Sequence, residues 1–195
     1  MSKITLLSSI LAISILFSGC SKDKTSTIED ANSILATKTV KKEQNRFELT
    51  SIENKTYTIK KESNGFFLEN DKSKIIILDI FATWCPPCRA EASHLASLQK
   101  KFKDDLVVIG VTIEDGIQND KLENFKHEFG ADYVLVNSAQ NRPLVNAVAK
   151  SLNVGSNFGI PLMAMYKDGK LVRYYQGATE EEFIESDIKM ALGKK

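Results

Sequence analysis

The chain has 195 residues, a formal net charge of +1 and 43% hydrophobic residues, enough for one ordinary domain with a real core and some chain left over. A near-neutral balance gives no basic field for nucleic acid, so that partner class is set aside. Three cysteines cannot build a disulfide framework; at most one pair forms and one cysteine is left over.

The chain starts with a positive Lys3 and a largely apolar run over residues 4–17, followed by Ser18, Gly19 and Cys20. The run is shorter than the roughly 20 residues that span a bilayer, so it reads as a signal peptide over 1–19. The Ser-Gly-Cys ending resembles a bacterial lipobox, which implies cleavage before Cys20 and a lipid on its sulfur. The alternative is an ordinary cleaved signal with an incidental cysteine. A lipid on Cys20 would tether the protein to a membrane outside the cytoplasm, and stable anchoring needs more than one acyl chain. Residues 20–45 are polar and weakly patterned and are expected to act as a tether to a domain over 46–195.

Within that domain, Phe47 and Leu49 alternate, as do Tyr57 and Ile59, with Asn54-Lys55 between them, which predicts a hairpin. Residues 75–81 form an almost continuous apolar run, as expected of a strand buried on both faces. Trp84-Cys85-Pro86-Pro87-Cys88 follows at once, and then Leu95, Leu98 and Phe102 at helical spacing. Further strands are expected at 106–113, 133–136, 162–166 and 171–175, the last two joined by the turn pair Asp168-Gly169. Helices are expected around Leu122, Phe125 and Phe129, around Val145, Val148 and Leu152, and around Ile184 and Ile188. This alternation predicts an α/β fold with a mixed central sheet flanked by helices and an extra N-terminal β-hairpin.

A C-x-x-C that follows a buried strand and opens a helix brings two sulfurs into disulfide range on the first helical turn. The unpaired N–H groups there favour a thiolate, the nucleophile of thiol–disulfide exchange. Cys85, nearer the exposed end, is expected to attack a partner and Cys88 to resolve the mixed disulfide. Half of a zinc site is an alternative, but His94 lies six residues past Cys88 on one helix, and His127 is the only other histidine. Both histidines are expected to face solvent, and no metal or other cofactor is expected. A static structural disulfide is the remaining alternative.

The stretch Phe81-Ala82-Thr83-Trp84-Cys85-Pro86-Pro87-Cys88-Arg89-Ala90-Glu91 resembles the TlpA/ResA/CcmG branch of the thioredoxin superfamily, and the likeness extends over about three quarters of the chain. That resemblance implies a thioredoxin-like fold and an extracytoplasmic, membrane-tethered thiol–disulfide oxidoreductase. It implies protein disulfides as substrates, among them those of apocytochrome c before haem attachment, and a membrane thiol transporter of the DsbD/CcdA type as electron donor. Asp79 matches a buried Asp of thioredoxin that accepts the inner cysteine's proton, where the ResA-like branch often has Asn. A carboxyl on an apolar strand is expected to have a raised pKa, which suits proton transfer near neutral pH. Glu91 matches an acidic residue near the site of ResA-like proteins; the alternative is an exposed helix glutamate. Pro161 stands where the superfamily has a cis-proline, which would turn the backbone of Ile160 toward the cysteines to pair with an extended substrate. Trp84 is expected to shape the substrate surface together with Pro86 and Pro87, or else simply to pack.

Pro86 and Pro87 also have no backbone N–H, so two donors that could stabilise the Cys85 thiolate are missing. Only modest thiolate stabilisation is expected, which favours a reductant over a strong oxidant. A broad disulfide oxidase or isomerase stays open as an alternative. From another class, so do a non-catalytic binding lipoprotein and a metal chaperone of thioredoxin fold, although the C-x-x-x-C such a chaperone would need is absent.

Overall fold

The structure, a computed structural model, describes residues 44–63 and 65–194. The expected signal peptide, Cys20 and nearly all of the tether lie outside the described residues.

The chain folds in the order β1 (Arg46–Thr50), β2 (Thr56–Glu62), β3 (Gly65–Leu68), β4 (Ile75–Phe81), α1 (Pro86–Lys101), β5 (Leu106–Thr112), α2 (Asn119–Phe129), β6 (Val134–Val136), α3 (Asn141–Leu152), β7 (Leu162–Lys167), β8 (Lys170–Gln176) and α4 (Glu181–Ala191). The central sheet runs β6-β5-β4-β7-β8. Its first three strands are parallel, and β7 and β8 are antiparallel to their neighbours. It is the mixed α/β sheet expected, with β4 in the middle and every residue of β4 buried.

Side chains on β4 alternate between two apolar layers, as the period of a strand requires. Ile75, Ile77 and Phe81 meet α1, α2 and α4 on one face; Ile76, Leu78 and Ile80 meet α3 and the N-terminal strands on the other. Asp79 therefore belongs to the face that α1 covers. The turn after β7 uses Asp168 and Gly169 at φ 53° and 75°, the left-handed pair that a tight hairpin needs.

The N-terminal element corrects the expected hairpin. It is a three-stranded antiparallel sheet, β1-β2-β3, in which Phe66 and Phe67 of β3 are buried. β3 escapes a sequence reading because four residues, all but one of them apolar, show no alternation; pairing with β2 and burial of Phe66 against Tyr166 define it, the rings lying 5.2 Å apart edge to face. Gly65 opens this strand because a Cβ there would lie 1.8 Å from the Gly169 carbonyl oxygen. The small sheet also caps an edge of the large one. Ser51 bridges Val136, and the Ile52 and Asn137 N–H groups donate to the Leu135 and Thr50 carbonyls at 3.0 and 2.9 Å.

Candidate active site

Cys85 is the N-cap of α1, and Pro86 and Pro87 fill its first two helical positions, where a missing N–H costs the helix least. Cys85 and Cys88 form a disulfide with Cα atoms 5.3 Å apart. The Cys88 N–H donates to Cys85 Sγ at 3.3 Å, and the Arg89 N–H donates to the Cys85 carbonyl at 3.1 Å. The sulfur thus receives one helix-end N–H, from the first residue past the two prolines.

The expected difference in exposure between the two cysteines is absent. Cys85 is 3% exposed and Cys88 4%. Cys85 sits low because the loop before β7 closes over it: its Sγ lies 3.8 Å from the Ile160 carbonyl oxygen. The Ile160–Pro161 peptide bond is cis, Pro161 is buried, and the Pro161 carbonyl accepts the Gly177 N–H at 2.8 Å. Around this point Pro86 and Pro87 are exposed, Ile160 is half-buried, and Trp84 is 59% exposed. Simple packing does not account for a tryptophan placed that far into solvent.

Behind the disulfide, Asp79 is buried on the same side of the sheet as Cys88. Its Oδ2 accepts the Tyr133 hydroxyl at 3.1 Å, while Oδ1 has no hydrogen-bond partner among the described residues. Burial pushes the Asp79 carboxyl up to about 7, and the Tyr133 hydrogen bond pulls it back.

Glu91 is buried as well, so the exposed-helix alternative does not hold. It shares the inner face of α1 with Cys88, Ala92, Leu95 and Leu98. Its Oε1 accepts the Thr179 N–H at 2.9 Å and its Oε2 has no partner among the described residues. Burial first, and then the Asp79 charge, push Glu91 up to about 8, against the Thr179 N–H. Two carboxyls in one apolar layer make this the most heavily perturbed titrating region near the disulfide.

The loop that delivers Cys85 is held by residues the sequence reading missed. Glu114, past the end of β5, accepts the Thr83 N–H at 2.6 Å and the Thr83 hydroxyl at 3.1 Å. Arg89 Nε donates to the Thr83 carbonyl at 2.7 Å, and its guanidinium lies 5.0 Å over the Phe129 ring. His127 is exposed, as expected; His94 is half-buried instead, with its Nδ1 enclosed, because α1 turns it toward the protein.

The arrangement has the parts for thiol–disulfide exchange: a sulfur pair at a helix N-terminus, an enclosed carboxyl on the same side of the sheet, and an exposed tryptophan beside the pair. Comparison with known proteins agrees. The Redoxin family model matches residues 48–192. The chain is 25% identical over 152 residues to the thiol-disulfide oxidoreductase ResA of Bacillus thuringiensis (strain Al Hakam), covering 76% of each protein. It is 37% identical over 54 residues to the thioredoxin-like protein YneN of Bacillus subtilis (strain 168), a match that spans 28% of this chain and only 32% of that relative. Among solved structures, the thiol:disulfide interchange protein of Chlorobium tepidum TLS superposes with a TM-score of 0.61 at 23% identity, over 76% of this chain and 94% of that one. The chain belongs to the Redoxin family and is a thiol–disulfide oxidoreductase of thioredoxin-like fold, with its C-x-x-C pair at disulfide distance.

Proposed function

We propose that the protein is a lipid-anchored, extracytoplasmic reductant of protein disulfides, with the haem-binding cysteines of apocytochrome c as the narrower substrate class. The observation that carries the direction of electron flow is the single helix-end N–H on Cys85 Sγ. Pro86 and Pro87 withhold the other two donors, so the Cys85 thiolate gains little from the helix. A poorly stabilised thiolate leaves the dithiol less favoured relative to the disulfide, which is the property of a reductant.

In the proposed cycle the Cys85 thiolate attacks one sulfur of a substrate disulfide. A Cys85–substrate mixed disulfide forms, and the second substrate sulfur leaves as a thiolate. Cys88 then gives its proton to Asp79 and attacks Cys85 Sγ. The Cys85–Cys88 disulfide closes and the substrate leaves as a dithiol, two electrons richer. A membrane thiol transporter of the DsbD/CcdA type restores the Cys85–Cys88 dithiol. Trp84, Pro86, Pro87 and the Ile160 backbone form the surface on which an extended substrate lies.

The extracytoplasmic site is supported by the apolar run over residues 4–17 and by Ser18-Gly19-Cys20. Among the described residues no helix is long and apolar enough to cross a membrane. The anchor in this proposal is the lipid on Cys20, as the Ser18-Gly19-Cys20 ending suggests. Labelling with radioactive palmitate should mark the wild-type chain and miss Cys20→Ala.

The function is tested by trapping. A Cys88→Ala variant should accumulate mixed disulfides through Cys85, and mass spectrometry of the trapped partners identifies the substrates. A reduction potential near that of strong periplasmic oxidants, about −120 mV, would overturn the reductant reading in favour of an oxidase. Full activity of Cys85→Ala on protein disulfides would remove the enzymatic reading of this pair.

A further inference from the structure

Three observations meet at Asp79. Its neighbour across the parallel β4–β5 ladder is Gly110. A Cβ at Gly110 would stand 2.7 Å from Leu135 Cδ2, 3.0 Å from Tyr133 Cε2 and 3.1 Å from Phe81 Cε1, so the Tyr133 ring occupies space that only a glycine leaves open. The buried ring ends in a hydroxyl that donates to Asp79 Oδ2 at 3.1 Å. Glu91 brings a second enclosed carboxyl to this layer from α1, but its hydrogen bond comes from the Thr179 backbone. Each carboxyl has one oxygen held and the other without a partner among the described residues, and the two are held by different donors.

We propose that Tyr133, admitted by Gly110, is the positioning residue for Asp79: its hydroxyl favours the ionised form of the carboxyl, so that Asp79 takes the proton of Cys88. This inference rests on the reading of Asp79 as the proton acceptor of Cys88.

The physical reason is that a carboxylate accepts a hydrogen bond more strongly than a carboxylic acid does. A phenol supplies that bond without adding a charge. Tyr133 also stays a donor, because burial and then the Asp79 charge hold its hydroxyl well above the usual tyrosine range. Among the described residues, the groups around Asp79 are few. From α1 come Glu91, whose titration feels the Asp79 charge, and Cys88 on the same helix face; from the segment before β6 comes Tyr133; β5 and β7 pair with Asp79 through uncharged Gly110 and Met163. On α4, Asp187 is occupied by Arg173 and Tyr175.

In the step concerned, the Cys88 S–H proton moves to an Asp79 carboxylate oxygen. The Cys88 sulfur lone pair forms the bond to Cys85 Sγ, and the bond from Cys85 to the substrate sulfur breaks, releasing a substrate thiolate. One proton and one electron pair are transferred, and no further reactant is needed.

The test uses the full chain, reduced, with oxidised glutathione as the probe disulfide. Quenched-flow mass spectrometry reads the decay of the Cys85–glutathione mixed disulfide as a function of pH. Tyr133→Phe should move the pH midpoint of that decay up by about one unit, slowing it about five-fold at pH 7 and restoring it at pH 9. Site-specific 3-fluorotyrosine at 133, a stronger donor, should move the midpoint down, and it decides the matter if Tyr133→Phe does not fold. Unchanged midpoints in the substituted proteins, with a profile that Asp79→Asn flattens, overturn the role of Tyr133 alone. A profile that Asp79→Asn itself leaves unaltered overturns the proton-acceptor reading on which the inference rests.

Discussion

Glu114 holds Thr83 at two points, its backbone N–H at 2.6 Å and its hydroxyl at 3.1 Å, two residues before the cysteine that caps α1. The two residues are 31 apart in the chain, and one carboxylate fixes the approach of the Trp84-Cys85 segment to the sheet. Glu114→Ala leaves both Thr83 donors without this acceptor. We expect a loss of about 1–3 kcal/mol in chemical unfolding of the oxidised protein, and a reduction of protein disulfides about ten-fold slower as the sulfur loses its fixed position. Glu114→Gln keeps an acceptor oxygen and should fall between wild type and Glu114→Ala in both measurements.

The buried carboxyls give the oxidised protein an inverted pH response. Asp79 and Glu91 titrate at about 7 and about 8 in the folded state, above the ordinary carboxylate range. The folded protein therefore holds protons that the unfolded chain releases. That stabilisation is complete below about pH 4, declines from there, and is lost as pH rises through the folded-state values. The melting temperature should fall between pH 5 and pH 9. An Asp79→Asn, Glu91→Gln double variant should show a flatter curve and be more stable than wild type at pH 8, by a margin on the order of 2 kcal/mol. A wild-type melting temperature that rises over this range would contradict the burial of the two groups.

Trp84 separates binding from folding. With its ring mostly in solvent, Trp84→Ala should change stability by no more than about 0.5 kcal/mol. If the ring contacts protein substrates, KM for a disulfide-bonded protein should rise by about 5- to 30-fold, as when an interface aromatic is truncated. The rate with oxidised glutathione, too small to span the rim, should stay within about two-fold of wild type on the same argument. An equal loss with both substrates would place Trp84 in the chemistry instead.

Gly110 predicts its own substitution. The added methyl of Gly110→Ala would press on Leu135, Tyr133 and Phe81 at once, all three of them buried. Overpacking of this kind costs about 1–3 kcal/mol. Thermal unfolding should register it.

Much of this architecture is legible in the chain itself. The unbroken apolar run of β4, the C-x-x-C behind it and the Asp168-Gly169 turn are local patterns, and local patterns fix local structure. The site's supporting groups are not local. Tyr133 meets Asp79 across 54 residues and Thr179 meets Glu91 across 88, and the latter contact uses a backbone N–H that no residue identity announces. Glu91 itself carried a usable signal. It falls three residues past Cys88 and four before Leu95, in register with the face that packs inward. The cysteines' equal burial was not foreseeable from helix position, because the covering loop comes from the Ile160–Pro161 segment 75 residues away.

The atom that caps α1 is also the atom that exchanges partners. Cys85 Sγ accepts the Cys88 N–H in the disulfide, and each redox event changes the charge or the substituent on that acceptor. The Cys88 amide is consequently a native spectroscopic gauge: one nitrogen–proton resonance, with no label on either sulfur, reads whether the pair is closed, open or joined to a client.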